Sequence, residues 1–238
     1  SREHDRRLVQ RAQEYVAMIE MHVGRHRSLV SLLSELSGGE LHAGFFDAVD
    51  ATQSENSGFI SMLVADSKGL IVHGAPANRF ERIRLRPEAE RRVDDRDYFQ
   101  VPSERSGTYL SDGFQGRGFG SDTIVAISTS IVDASGQFMG IVQGSLNLAE
   151  LAGFEQLSTP SENVVILDSK SQVAYTREDL GLAPLSKVEF FPAATASVLP
   201  ISQVVLANES YYFESRSTVD GWQVVALSKT REVMGMIE

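Results

Sequence analysis

Cysteine is absent from the 238 residues. Thiolate nucleophiles, disulfides and zinc–cysteine sites are excluded with it. Positive charge is in deficit, since 22 Lys and Arg against 32 Asp and Glu leave a formal net charge of −10. That balance argues against nucleic acid as a partner, because neutralising phosphates needs a basic face. Long apolar runs are missing as well, and none approaches the ~18–20 residues that cross a bilayer. The legible catalytic signatures are also lacking: no Gly-x-Ser-x-Gly elbow, no His-Glu-x-x-His and no phosphate loop ending in Gly-Lys-Ser/Thr. Gly116 to Gly120 is glycine-rich but has no lysine and no following helix, so it reads as a strand connection able to roof a pocket. Five histidines are scattered along the chain. His22 and His26 stand one helical turn apart, but no carboxylate joins them at matching spacing. They read as a polar notch in a helix. No catalytic residue, metal or cofactor is expected.

What the chain does have is periodicity. Leu8, Ala12, Tyr15, Ile19, His22, His26, Leu29, Leu33 and Leu36 follow a four-three spacing within Asp5 to Leu36, with Val16, Val23 and Val30 beside them. That is a heptad-like stripe on one long helix of roughly 45 Å at ~1.5 Å per residue. Such a rod can pack along the chain's own sheets, pair with a second copy, or do both. Ser37-Gly38-Gly39 ends it, and a second helix is expected over Glu40 to Thr52. Phe59 to Ala65 reads as a buried strand, Asp66 to Gly69 as a turn, and Leu70 to His73 as the returning strand. Pro76 to Arg96 is polar and irregular, with seven arginines and nearly as many acids. A solvated, salt-bridged surface is the expectation there.

Val93 to Leu151 organises the rest. Asp95-Arg96-Asp97-Tyr98-Phe99 leads into a short strand at Thr108 to Ser111 and then the glycine-rich loop. A hairpin follows, with arms Asp122 to Asp133 and Gln137 to Leu148 joined by Ala134-Ser135-Gly136. Downstream, Glu150 to Leu157 reads as a linking helix and Ser158 to Ser161 as a boundary turn. Val164 to Tyr175 then repeats the pattern of Met62 to His73, and Ser217 to Leu227 repeats that of Ser130 to Ile141. A repeat of this kind implies two similar α+β lobes in tandem, each with an antiparallel sheet of about five strands. Tyr211-Tyr212-Phe213 belongs to a strand of the second lobe and reads as core.

Arg-x-Tyr-Phe at Arg96 to Phe99, a strand, and a hairpin closing on Gly140 to Leu151 together resemble the double Cache (PAS-like) extracytoplasmic sensor family. The resemblance implies a long N-terminal helix and two tandem PAS-like lobes. Boundaries fall at 1–58 for the helices, 59–157 for a membrane-distal ligand-binding lobe, 158–229 for a membrane-proximal lobe, and 230–238 for the start of a C-terminal helix. It implies a periplasmic location, with membrane spans flanking both ends of the chain. The expected role is ligand sensing for a transmembrane signalling protein. A histidine kinase is the first choice of output, and a diguanylate cyclase or chemoreceptor the alternative. A ligand-free structural or dimerising ectodomain is the rival from another class. The helix stripe predicts a parallel homodimer.

Arg96 has two readings. It is a structural ion pair with Asp94, Asp95 or Asp112, or a carboxylate clamp, since guanidinium offers paired donors in fixed geometry. In amino-acid-sensing members of the family the corresponding motif is Arg-x-Trp-Tyr, with an aspartate on the last hairpin strand for the ligand ammonium. Here Tyr98 and Phe99 replace the aromatics and Ser145 stands at the aspartate position. Tyr109 and Ser111 fall where a further aromatic and a second acid are expected. The resemblance therefore implies an organic carboxylate rather than an amino acid. The expected pocket is made by Arg96, Tyr98, Phe99, Tyr109, Ser111, Thr129, Gln143 and Ser145, with Ile127 beside Thr129.

Overall fold

The computed structural model describes residues 2–117, 119–120, 122–147, 161–191 and 202–230. Two compact units divide the chain. The first lobe is Val23–Asn147, and the second combines Ser1–His22 with Leu148–Glu238. The linking helix expected over Glu150 to Leu157 and the C-terminal helix beyond Thr230 lie outside the described residues.

Helix α1 runs Arg2–Leu36 and contributes to both units. Its buried positions are Leu8, Ala12, Tyr15, Ile19, Val23, His26, Val30 and Leu33. This stripe returns every eleven residues (8, 19, 30), about 3.67 residues per turn, close to the roughly 3.6 of a straight helix and unlike the roughly 3.5 of a left-handed coiled coil. The heptad reading therefore drifts out of phase after Ile19. His22 and Leu29 are only half-buried, and Val23 and Val30 take their places. In the first lobe Ser34 Oγ donates to the Ser130 carbonyl at 2.7 Å, and the His26 ring meets Phe59 edge-on at 4.7 Å. In the second lobe Glu20 accepts from the Val219 amide at 2.8 Å, and Arg11 lies 3.2 Å from Glu162.

Helix α2 (Ala43–Glu55) begins directly after its N-cap, His42, whose Nδ1 accepts from the Phe45 amide. The sheet of the first lobe is six-stranded and antiparallel. Its strands are β1 (Phe59–Asp66), β2 (Ile71–Ala75), β3 (Thr108–Leu110), β4 (Phe114–Gln115), β5 (Thr123–Val132) and β6 (Phe138–Leu146). Their order is β2-β1-β6-β5-β3, and β4 pairs with β5. One face carries Leu63, Ala65, Ala126 and Ile141 together with Tyr98 and Phe99.

Pro76 to Arg96 is more ordered than its composition suggests. Ala77–Arg84 forms helix α3, anchored by the buried Ile83, and a short 3-10 turn covers Glu88–Arg91. The polar surface of α3 hides its apolar contacts, Phe80 and Ile83, which pack on the sheet core.

The second lobe holds a five-stranded antiparallel sheet in the order β8-β7-β11-β10-β9. Its strands are β7 (Glu162–Leu167), β8 (Val173–Tyr175), β9 (Ser202–Leu206), β10 (Glu209–Ser217) and β11 (Gln223–Lys229). Two separate sheets thus answer to the internal repeat. The repeated Asp-Ser-Lys is one turn built twice. Asp66 accepts from the amides of Lys68 and Leu70 at 2.9 and 3.0 Å, and Asp168 from those of Lys170 and Gln172 at 2.9 Å each. Tyr211 and Phe213 lie in the core of this lobe.

Candidate functional site

The Arg-x-Tyr-Phe stretch is fixed by its surroundings. Gly69 lets the β1–β2 turn approach Asp94 so closely that a Cβ there would lie 2.7 Å from the Asp94 side chain. The Gly69 carbonyl accepts from the amide of the buried Val93 at 2.9 Å. Helix α4 (Asp97–Glu104) follows, with Arg96 at its N-cap. The Arg96 carbonyl accepts from the Phe99 and Gln100 amides at 2.9 Å. Ser128 Oγ donates to the Tyr98 carbonyl at 2.6 Å, tying the helix to β5.

A cavity of about 50 Å³ opens between this segment, α3, the loop after β4, and the sheet face of β1 and β6. Arg79, Arg92, Arg96 and Arg117 line it with Tyr98 and Phe114. Ser61, Gln143 and Ser145 form its sheet side. On the measure by which one water needs ~10–15 Å³, the space suits a few waters or a small organic molecule.

Electrostatics distinguishes the four arginines. Arg92 donates to Asp94 at 3.0 Å, and Arg117 lies 2.5 Å from Asp95. Arg79 donates to the Phe119 carbonyl at 2.6 Å and stands 3.6 Å from Asp122. The Arg96 guanidinium has no ion-pair partner among the described residues. Its Cζ lies 5.4 Å from the centre of the Phe114 ring, a cation–π contact that leaves its N–H donors free to bind. Of the three acids expected as structural partners for Arg96, Asp94 is engaged by Arg92 and Asp95 by Arg117, and no ion pair joins Arg96 to Asp112 among the described residues. Tyr98 stacks on Phe114 at 5.7 Å. Burial pushes its hydroxyl up to about 12, while nearby Arg96 pulls the other way. The phenol is therefore a neutral donor at any physiological pH.

No family model matches the chain, and no curated protein matches it in sequence. Solved structures match its fold. The ligand-binding domain of the Pseudomonas aeruginosa amino acid chemoreceptor PctB, in complex with L-Arg, aligns with a TM-score of 0.75 at 12% identity, covering 98% of each chain. That of the Pseudomonas fluorescens chemoreceptor CtaA, in complex with L-alanine, gives 0.73 at 16%, covering 97% of this chain and 99% of the other. The extracellular domain of the putative histidine kinase rpHK1S-Z16 gives 0.73 at 12%, covering 98% and 97%. The chain has the double Cache fold.

Four of the eight residues expected in a double Cache pocket line the cavity: Arg96, Tyr98, Gln143 and Ser145. The other four stand elsewhere, and strand register explains one of them directly. Gln143 pairs with Ser128 and Ser145 with Ala126. Thr129 and Ile127 alternate with those partners and so face the opposite side of the sheet. Thr129 Oγ1 donates to the Gly107 carbonyl instead, at 3.1 Å. Phe99 is buried against Phe138 at 5.7 Å. Tyr109 packs at the edge of the same core. Ser111 Oγ accepts from the Ala126 amide and donates to the Asp112 carbonyl, both at 2.8 Å.

Sequence reasoning missed Ser61, Arg79, Arg92, Arg117 and Phe119. Ser61 was within reach, since it pairs directly with Ser145 across β1 and β6 and shares its face. The arginines come from three segments and show no spacing that would unite them. The arginine-rich segment is thus only in part the solvated surface expected of it. Arg84 pairs with Glu81 at 2.7 Å in the exposed manner, whereas Arg79, Arg92 and Arg96 turn to the cavity.

Proposed function

We propose that this chain is the extracytoplasmic ligand-sensing domain of a transmembrane signalling protein, and that it binds a small organic carboxylate in the cavity of the first lobe. The observation that carries the reading is Arg96, the one lining arginine without an acidic partner among the described residues, set beside the Tyr98 hydroxyl. A charged hydrogen bond formed in such a cavity is worth ~1.5–3 kcal/mol, enough to orient a small ligand. The double Cache fold supports the reading, because matching structures are ligand-binding domains of receptors.

The matching chemoreceptor domains hold amino acids, against the expectation of a simple organic acid. At identities of 12 and 16% their ligands do not transfer. Ser145, where amino-acid sensors of this family place an aspartate, favours the organic acid. As output we propose a histidine kinase first, and a diguanylate cyclase or chemoreceptor second. No helix among the described residues is long and apolar enough to cross a membrane. Spans outside the segment would anchor it.

A thermal-shift screen of organic acids and amino acids tests the sensor reading. A ligand at 100 times its dissociation constant should add ~2.7 kcal/mol to stability. A scaffold without a ligand would show no shift with any compound.

A further inference from the structure

We propose that Gln143 sets ligand specificity, and that the ligand is a small monocarboxylate carrying a hydroxyl group that donates to the Gln143 side-chain oxygen. This inference rests on the cavity being a carboxylate site, and it goes on to name what else the ligand must carry.

Gln143 is 1% exposed and lines the cavity from β6. Its Nε2 donates to Ser145 Oγ at 3.0 Å. Its Oε1 is buried without a hydrogen-bond partner among the described residues. Leaving a buried acceptor unmatched is unfavourable, so the site gains when a ligand supplies a donor. Ser61, the cross-strand partner of Ser145, adds a hydroxyl without a side-chain bond among the described residues. The polar floor is therefore an amide and two hydroxyls, all neutral.

The choice of a hydroxyl over an ammonium follows from charge. An ammonium buried on a neutral floor loses hydration and gains no counter-charge. The two acids on the lining, Glu90 and Asp122, are on exposed residues at the rim, and Asp122 already faces Arg79 at 3.6 Å. One unpaired guanidinium matches one carboxylate, which makes the ligand a monoanion. Its size is bounded by a cavity of about 50 Å³, the space of a three- or four-carbon acid.

Calorimetry with four compounds of one skeleton tests this: lactate, propanoate, pyruvate and alanine, together with their four-carbon counterparts. The intact domain should bind the 2-hydroxy acid at least tenfold more tightly than the unsubstituted acid, the 2-oxo acid or the amino acid. Gln143→Met should bring the hydroxy and unsubstituted acids within about threefold of each other. Gln143→Glu should lose the hydroxy acid and favour the amino acid, which keeps the test alive if the methionine variant misfolds. A hydroxy-acid preference that survives Gln143→Met overturns the inference. So does tighter binding of the 2-oxo or amino acid by the intact domain. If these acids bind without preference and Arg96→Ala abolishes binding, the carboxylate site stands and only the role of Gln143 falls. If none of the eight binds, both the inference and the carboxylate reading beneath it are overturned.

Discussion

Arg92 Nε donates to Asp94 Oδ1 at 3.0 Å, and through that bond Asp94 is committed before Arg96 can reach it. The bond also holds the Asp94 carboxyl below its usual range. Arg117 engages Asp95 in the same way. Two neighbouring pairs thus leave a third arginine facing the cavity with its donors unspent. An arginine-rich segment can therefore look balanced in charge along the chain and still, among the described residues, turn an unpaired guanidinium toward a cavity.

Gly140 on β6 has φ +147, and a Cβ there would stand 2.1 Å from the Ala65 carbonyl oxygen. Neither the backbone conformation nor the space admits a side chain. Gly140→Ala should therefore destabilise the domain by about 2–4 kcal/mol, read as a lower urea midpoint. Gly136 at the hairpin turn also has positive φ, but a Cβ there meets open space. Gly136→Ala should cost only ~1–2 kcal/mol. Equal costs at the two sites would mean that crowding by Ala65 does not matter.

The phase of α1 can be checked residue by residue. Leu33 is 2% exposed, whereas Leu32 is 51% exposed. Leu33→Ala should lower stability by ~2–5 kcal/mol, and Leu32→Ala should stay within ~0.5 kcal/mol. The outward apolar residues Met21, Leu32 and Leu36 share one side of α1, so any self-association through this helix should run on them. Sedimentation of the double variant Leu32→Glu, Leu36→Glu should show less dimer than the parent, with unchanged unfolding. Loss of fold in that variant would place these residues in the core instead.

Acid should weaken the β5–β6 turn in a defined window. Asp133 accepts from Ser135 Oγ, the Ser135 amide and the Gln137 amide at 2.6–2.9 Å. These bonds, that of the Ser135 side chain foremost, lower its pKa from 3.8. A folded pKa below the unfolded one gives stability that is present above pH 3.8 and lost as pH falls through the lower folded value. Urea midpoints of Asp133→Asn and the parent should therefore differ at pH 7 and converge below pH 3.8. A gap that stays constant down to pH 2.5 would assign the effect to something other than ionisation.

The sheets were legible because their signals are local. Alternating β-branched arms and Asp-led turns announce a hairpin wherever they occur, and repetition of the Asp66 turn at Asp168 showed two lobes. The long helix was legible in extent but not in phase, since a seven-residue reading and an eleven-residue reading agree until Ile19 and part at His22. Helix α3 was hidden because an eight-residue element with three arginines buries only Ile83 fully. Half of the candidate site could be named from Arg-x-Tyr-Phe and the hairpin. The remainder depends on cross-strand register, which places Ser61 opposite Ser145 and turns Thr129 away, and on three distant arginines meeting at one cavity.

The central claim is that Arg96 holds a ligand carboxylate, and calorimetry on matched arginine variants tests it most directly. With the best acid from the screen, Arg96→Ala should weaken binding roughly ten- to a hundredfold, the loss of one charged hydrogen bond at ~1.5–3 kcal/mol. Arg117→Ala should cost less, because that guanidinium is half-exposed and already paired with Asp95. Tyr98→Phe should also cost less, since it removes one neutral donor. Unchanged affinity in a folded Arg96→Ala, or a larger loss in Arg117→Ala, would contradict the account.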